Sequence, residues 1–261
     1  MTGKQMLMAP IRTSPKNRAI AAIVILVALM FLVTTKRHTE HQELLTVYDF
    51  AEGVTEPTHL TPLDVAKDLV ARDKLYSIDD AHRQGLIHCG TWIWISDSEG
   101  KVLVLKRGPH LVTCPNSYSL LGEHTLGLEK PEETVRRGIK EELGAAMLRH
   151  IRTVELLPAS PLYYFRDYGT QNSNRIDRQL TYLWWVEMDR PGAQLPLKLD
   201  AEVAHHDWIA TETLQSWFKE AHNNLLNTGY SGSRICHETI VTLWEKVFKE
   251  VQRIQATKTT I

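Results

Sequence analysis

The feature that most constrains the fold is the segment from 129 to 145, which reads EKPEETVRRGIKEELGA. Its apolar residues recur at i, i+4 and i+8, and they are Val135, Ile139 and Leu143. This spacing predicts an amphipathic helix over 132–143 whose apolar face packs on a core. Pro131 is typical of a first helical turn, and Gly144 is typical of the position just after a helix. The sequence therefore marks both ends of this helix.

The other face of the predicted helix carries carboxylates. Position 138 lies three residues before Glu141 and four before Glu142, so these three positions share a face. Adjacent carboxylates repel each other unless a cation lies near them, and oxygen ligands suit Mg²⁺ or Mn²⁺. The residue at 138 is a glycine, where a third carboxylate would complete a metal-binding face. The plainer interpretation is a solvated acidic face on which Arg137 and Glu141 form a weak surface pair.

The N-terminal part of the chain contains one long apolar run. Residues 19–33 read AIAAIVILVALMFLV, and two threonines extend the run to 35. At about 1.5 Å per residue, the segment 19–35 just reaches the thickness of a bilayer core. We therefore expect a single-pass transmembrane anchor, with a cleaved signal peptide or a buried core helix as the alternatives. More basic residues precede the run than follow it, which favours a cytoplasmic N-terminus and a lumenal or extracellular location for the rest.

The composition is that of a globular protein. The chain has 261 residues, of which 43% are hydrophobic and 23% are charged, and its formal net charge is −1. This balance gives no support for a nucleic-acid partner. Cys89, Cys114 and Cys236 are widely spaced and odd in number, so they predict no disulfide framework and say little about the redox compartment.

The remaining patterns predict one α/β (α+β) domain after the anchor. Two apolar segments, 90–97 and 101–107, flank a turn and predict a β-hairpin. Residues 44–50 are either part of a stem or a leading strand. Further strands are predicted at 151–157, 161–168 and 180–188, and helices at 61–75, 212–221 and 233–254. We divide the chain into a basic tail (1–18), the anchor (19–35), a stem with leading elements (36–80), the main domain (81–225) and a C-terminal helix packed on it (226–261).

The segment around the predicted helix resembles the Nudix box, G-x5-E-x7-R-E-U-x-E-E-x-G-U, in which U is a bulky aliphatic residue. Six positions fall in register, and they are Glu129, Arg137, Ile139, Glu141, Glu142 and Gly144. Two positions depart from the box, because Glu123 stands at the leading glycine and Gly138 at the glutamate after the arginine. The resemblance implies the Nudix fold, in which a mixed β-sheet is sandwiched between helices.

A second resemblance lies upstream of the box. HRQGLIH (82–88), followed by strand, turn and KVLVLKR, is similar to the Nudix branch that includes isopentenyl-diphosphate isomerase and its hydrolase relatives. His124 stands near that branch's small-residue–Gly–His motif, whose histidine is a metal ligand in the isomerases. The isomerase needs a cysteine where this chain has Gly122, and two glutamates where it has Asp177 and Gln179. We therefore do not expect isomerase activity.

The resemblance implies hydrolysis of a nucleoside diphosphate linked to another moiety, or of a related diphosphate, with Mg²⁺ or Mn²⁺ as cofactor. The resemblance implies that Glu141 and Glu142 bind metal and that Glu142 also acts in catalysis. It implies that Arg137 orients a glutamate and that Glu129 braces the loop–helix junction. His124 and Asp177 are implied as further metal ligands or bases.

Gly138 leaves a second interpretation open. A Nudix-fold protein without the box glutamate at 138 could bind a nucleotide or a partner without hydrolysing it. If the cleft has room, Gly138→Glu is expected to raise the metal affinity of an otherwise complete site.

Overall fold

The structure is a computed structural model that describes residues 43–169, 174–228, 234–236 and 238–259. Its strands are β1 (Leu44–Phe50), β2 (Thr61–Pro62), β3 (Leu69–Ser77), β4 (Ile87–Ser96), β5 (Val102–Arg107), β6 (Tyr118–Ser119), β7 (Leu121–His124), β8 (Ile151–Leu156), β9 (Leu162–Asp167), β10 (Ile176–Met188) and β11 (Val203–Ile209). Its α-helices are α1 (Val65–Asp68), α2 (Ile78–Gln84), α3 (Pro131–Glu142), α4 (Thr211–Thr228) and α5 (Glu238–Thr259). Two short 3₁₀ helices cover Ala145–His150 and Gly192–Gln194.

The predicted anchor at 19–35 and the basic tail before it lie outside the described residues. Within the described ranges, no helix combines the length and the apolar composition needed to cross a bilayer.

The strands form one mixed sheet around a central parallel pair. Strands β4 and β10 run parallel from the pair Ile87–Arg178 to the pair Ser96–Glu187. The order along the main path is β11-β5-β4-β10-β9-β2, and β1 and β7 also pair with β4. Almost every residue of β4 is buried, as expected for a strand in the middle of a sheet that is covered on both faces.

Helices cover both faces of the sheet. Ile93 and Ile95 pack in one core cluster with the apolar face of α3. Trp94, which points to the other side of the same strand, packs in a second cluster with α4 and α5. This alternation follows from the two-residue period of a strand. The predicted mixed sheet between helices is therefore confirmed.

Several elements match their sequence predictions. The hairpin is β4 and β5, which meet at the pair Ser96–Val102. The box helix is α3, and its three predicted core residues are fully buried: Val135, Ile139 and Leu143. The apolar face predicted for the last helix is also buried, and it consists of Ile240, Leu243, Trp244, Val247, Phe248 and Val251.

The predicted helix at 61–75 is wrong for most of its length. Only Val65–Asp68 is helical, and the chain from Leu69 onward is strand β3. This strand pairs antiparallel with β1, with Phe50 opposite Leu69 and Leu44 opposite Ser77. Pairing between strands has overridden a local helical preference, which is a weak determinant on its own.

The prediction of no disulfide framework is also wrong. Cys114 and Cys236 form a disulfide, with their Cα atoms 5.3 Å apart and a sequence separation of 122. Cys89 is a free, buried thiol. A bridge across such a long separation depends on tertiary structure, and the spacing of three cysteines does not reveal it.

Candidate active site

A cleft of about 440 Å³ opens where β4, β7, β10 and α3 meet the segment before β11. Four predicted site residues line it, and they are Glu141, Glu142, His124 and Asp177. The fold thus brings together residues from the box helix, from the end of β7 and from the start of β10.

Arg137 and Glu129 hold the base of the box helix. Nε of Arg137 donates to Oε1 of Glu129 at 3.1 Å, and Nη2 donates to the backbone oxygen of His124. Oε2 of Glu129 accepts from the backbone N–H of Leu126 at 3.1 Å and from the hydroxyl of Thr134 at 3.0 Å. These bonds tie the loop before α3 to the first turns of the helix. The contacts of Glu129 and Arg137 therefore hold the loop and the helix in position.

The same arginine also holds two further carboxylates. Its Nη1 donates to Oε2 of Glu123 at 3.1 Å and to Oε2 of Glu141 at 3.0 Å. Its guanidinium therefore contacts three glutamates, with Glu129 as the third. Charge-assisted bonds of this kind orient both partners, so the guanidinium fixes where the acidic groups of β7 and α3 lie.

Gly138 is buried against Glu123. A Cβ atom at position 138 would lie 2.3 Å from Cγ of Glu123 and 3.1 Å from Cδ2 of Leu121. A side chain at 138 therefore fits only if the side chain of Glu123 moves. The expectation that Gly138→Glu raises the metal affinity depended on free space in the cleft, and with Glu123 in this position that condition is not met.

Glu142 is a carboxylate that the fold has largely desolvated. Burial raises its pKa well above the usual range, and the neighbouring charges of Glu123, Asp200 and Glu202 raise it further. Among the described residues, no hydrogen bond or ion pair reaches its side chain. A divalent cation beside a buried acid that is surrounded by other acids stabilises its ionised form.

A second cluster lies on the same cleft. One ring nitrogen from each of three histidines, His82, His88 and His124, lies within 4.8 Å of the other two. Oδ1 of Asp177 is 3.7 Å from Nε2 of His82 and 3.7 Å from Nε2 of His88. We call these four residues the histidine centre.

Hydrogen bonds fix the tautomers of two of these rings. Nδ1 of His82 lies 2.8 Å from the carbonyl oxygen of Ile78, and Nδ1 of His88 lies 2.9 Å from that of Leu86. A carbonyl only accepts, so each Nδ1 carries the proton and donates it. Each Nε2 then keeps its lone pair and points toward the centre, which is how metal-binding histidines are oriented.

The protonation states also favour a metal. Burial lowers the pKa of His82 to about 4 and that of His88 to about 3, and it lowers the pKa of His124 well below the usual range. All three rings are therefore neutral at pH 7, and the contacts of His82 and His88 with Asp177 are not salt bridges. Nε2 of His88, Nε2 of His124 and Oδ1 of Asp177 are buried and have no hydrogen-bond partner within the part of the chain that the structure describes. Such orphaned atoms are costly unless a ligand satisfies them, so the residues fit a divalent metal.

The predicted site residues did not include His82 and His88. His82 is in the last turn of α2 and His88 is the second residue of β4. Between them, Gly85 has φ +60° and reverses the chain from helix to strand. The available signal was the pair of histidines on either side of a glycine in HRQGLIH, which becomes informative only when this turn is known.

Comparison with known proteins gives the family. The NUDIX domain family matches residues 87–228, which is more than half of the chain, and no curated protein matches. Among solved structures, the chain is similar to the MutT protein from Methanosarcina mazei Go1 (17% identity, 50% of this chain, 81% of that chain, TM-score 0.36). It is also similar to a Nudix hydrolase from M. smegmatis (14%, 66%, 86%, TM-score 0.37) and to the dihydroneopterin triphosphate pyrophosphohydrolase of E. coli (12%, 49%, 82%, TM-score 0.37). Because the family match covers more than half of its length, the chain belongs to the Nudix family.

Proposed function

We propose that this protein is a membrane-anchored hydrolase that cleaves a diphosphate linkage with a divalent metal. The substrate class is a nucleoside diphosphate linked to another moiety, or a related diphosphate. Membership of the Nudix family supports the reaction class, because its hydrolases typically cleave such linkages and generally use divalent metals.

The charge of the cleft is the observation that carries the proposal. Its lining includes seven carboxylates, which are Glu43, Glu123, Glu141, Glu142, Asp177, Asp200 and Glu202. Of the described residues in the lining, two are arginines, Arg107 and Arg175. A diphosphate would be repelled from such a surface unless cations bound there first. A cleft of this charge therefore suits a metal-dependent reaction on an anionic substrate.

The residues of the cleft have different proposed roles. Glu141 and Glu142 are the oxygen ligands for Mg²⁺ or Mn²⁺ on the box helix, and Arg137 and Glu129 hold that helix in position. Three imidazoles and one carboxylate in the histidine centre suit Mn²⁺ or another transition metal better than Mg²⁺, which prefers oxygen. When bound, the metal ions neutralise the diphosphate and lower the pKa of the attacking water. In this proposal Glu142 accepts the proton that this water releases.

The alternative function is binding of a nucleotide or a partner without hydrolysis. Gly138, which stands where the box has a glutamate, favours it. The two functions differ in turnover, because a protein that only binds its ligand releases no product.

We further propose that residues 19–35 anchor the protein and that residues after 35 are lumenal or extracellular. The Cys114–Cys236 disulfide supports this location, because disulfides persist in oxidising compartments. Alkaline carbonate extraction of cells that express the full chain tests the anchor. The protein should stay in the membrane pellet and keep its N-terminus, and a mature N-terminus after residue 35 would contradict the anchor.

A hydrolysis screen tests the enzyme function. The full chain in detergent is incubated with a panel of diphosphate compounds and with Mg²⁺, Mn²⁺ or EDTA, and product release is measured. We expect turnover of at least one diphosphate compound that requires metal. Binding of panel compounds without any turnover would favour the alternative function.

A further inference from the structure

The two departures from the Nudix box meet in the folded protein. Glu123 is on β7 and Gly138 is on α3, yet a Cβ atom at 138 would lie 2.3 Å from Cγ and 3.3 Å from Cδ of Glu123. The side chain of Glu123 fills the volume that a side chain at 138 would enter. The box has glycine at the first position and glutamate at the second. This chain carries the same two residue types in exchanged places.

The carboxylate of Glu123 lies beside the acidic groups of the box helix. It shares Nη1 of Arg137 with Glu141, at 3.1 and 3.0 Å. Glu123, Glu141 and Glu142 also line the same cleft. Only 16% of the Glu123 side chain is exposed. The group thus reaches the surroundings of both box glutamates from the strand.

A simpler role for Glu123 would be to neutralise Arg137. That role is already filled, because Glu129 makes hydrogen bonds to Nε and Nη2 of the same arginine, and Glu141 pairs with Nη1. With Glu123 included, three carboxylates contact one guanidinium. The surplus of negative charge is what a divalent cation would compensate.

We propose that Glu123 supplies, from strand β7, the metal-binding carboxylate that the Nudix box places on the helix at position 138. This inference rests on the proposed function, because it assigns a further ligand to the same metal-dependent site. Gly138 is then not a lost ligand, because its missing side chain makes room for the carboxylate that replaces it. The ligand class is a hard divalent cation, Mg²⁺ or Mn²⁺.

Calorimetric titration of the full chain with Mg²⁺ tests the proposal separately from catalysis. Mg²⁺ is the probe because it prefers the oxygen site over the histidine centre. Glu123→Gln keeps the shape and removes the charge, so we expect Mg²⁺ affinity to fall at least about tenfold. Glu132→Gln is the matched control: it removes one charge from the exposed first turn of the same helix and should leave the affinity unchanged.

Two variants test whether the residues at 123 and 138 have exchanged roles. One is the single variant Gly138→Glu, and the other is the double variant that combines Glu123→Gly with Gly138→Glu. The single variant should melt at a lower temperature and gain no affinity, because its side chain meets Glu123. The double variant carries the arrangement of the box, and its Mg²⁺ affinity should recover to within a few-fold of wild type.

Three results would overturn the proposal. They are wild-type affinity in Glu123→Gln, no Mg²⁺ binding by the wild type, and a double variant as weak as Glu123→Gln. Failure of the proposed function gives a different pattern. In that case Mg²⁺ binding follows the expected order among the variants while no diphosphate is hydrolysed. If Glu123→Gln leaves both hydrolysis and Mg²⁺ affinity unchanged, the proposed role of Glu123 is contradicted while the proposed function still stands.

Discussion

Replacing Gly138 by alanine measures how tightly Glu123 packs against the box helix. In an exposed helix this change stabilises by about 1 kcal/mol. Here the new Cβ would lie 2.3 Å from Cγ of Glu123 and 3.1 Å from Cδ2 of Leu121. Forcing one extra carbon into such a packed position costs about 1–3 kcal/mol. The cost outweighs the helical gain, so we expect a net destabilisation of about 1 kcal/mol.

A double-mutant cycle isolates the contact between the two positions. In a Glu123→Ala background the Cγ atom is gone, and Gly138→Ala should then stabilise by up to about 1 kcal/mol. The difference between the two backgrounds is a coupling free energy of about 2 kcal/mol. Urea unfolding of the four proteins in EDTA, which removes metal effects, gives the four free energies of unfolding. If Gly138→Ala stabilised both backgrounds equally, the close packing of Glu123 on Gly138 would be refuted.

Three further predictions concern the rest of the domain. His88→Ala should lower Mn²⁺ affinity at the histidine centre at least about tenfold in calorimetry, whereas His206→Ala on β11 should not; equal affinities would argue against a metal there. Cys114→Ala should reduce the free energy of unfolding by about 2–5 kcal/mol, and a reducing agent should destabilise wild type but not this variant; no change would mean that the disulfide does not form. Ile139→Ala should cost about 2–5 kcal/mol in chemical unfolding, and a cost below about 1 kcal/mol would contradict its burial.

The sequence predicted the elements whose pattern is local. The box helix repeats its apolar residues at helical spacing, and Ile139 is fully buried as expected. The segment 69–75 failed because its helical preference is local while its pairing with β1 is not. Secondary structure at a sheet edge is decided by the neighbouring strand, which a short window of sequence does not contain.

The candidate site also contains residues that a local pattern predicts and residues that only the fold brings together. The box spacing identified Glu141 and Glu142, because residues three and four positions apart share a helix face. The histidine centre forms only where the turn at Gly85 and the end of β7 come together in the fold. The sequence does not show this proximity, so His82 and His88 were not predicted as site residues. The contact between Glu123 and Gly138 joins a strand to a helix. Their sequence positions alone show two separate departures from the box, and only the fold shows that they are neighbours.

Metal-dependent hydrolysis in the cleft is tested most directly at Glu142, its proposed key acid. The most direct measurement compares the hydrolysis rate of wild type, Glu142→Gln and Glu132→Gln on one diphosphate substrate, with Mn²⁺ and with EDTA. We predict that wild type and Glu132→Gln turn over equally with Mn²⁺ and not with EDTA, and that Glu142→Gln is slower by at least about a hundredfold. Equal rates for wild type and Glu142→Gln, or turnover that persists in EDTA, would contradict the account.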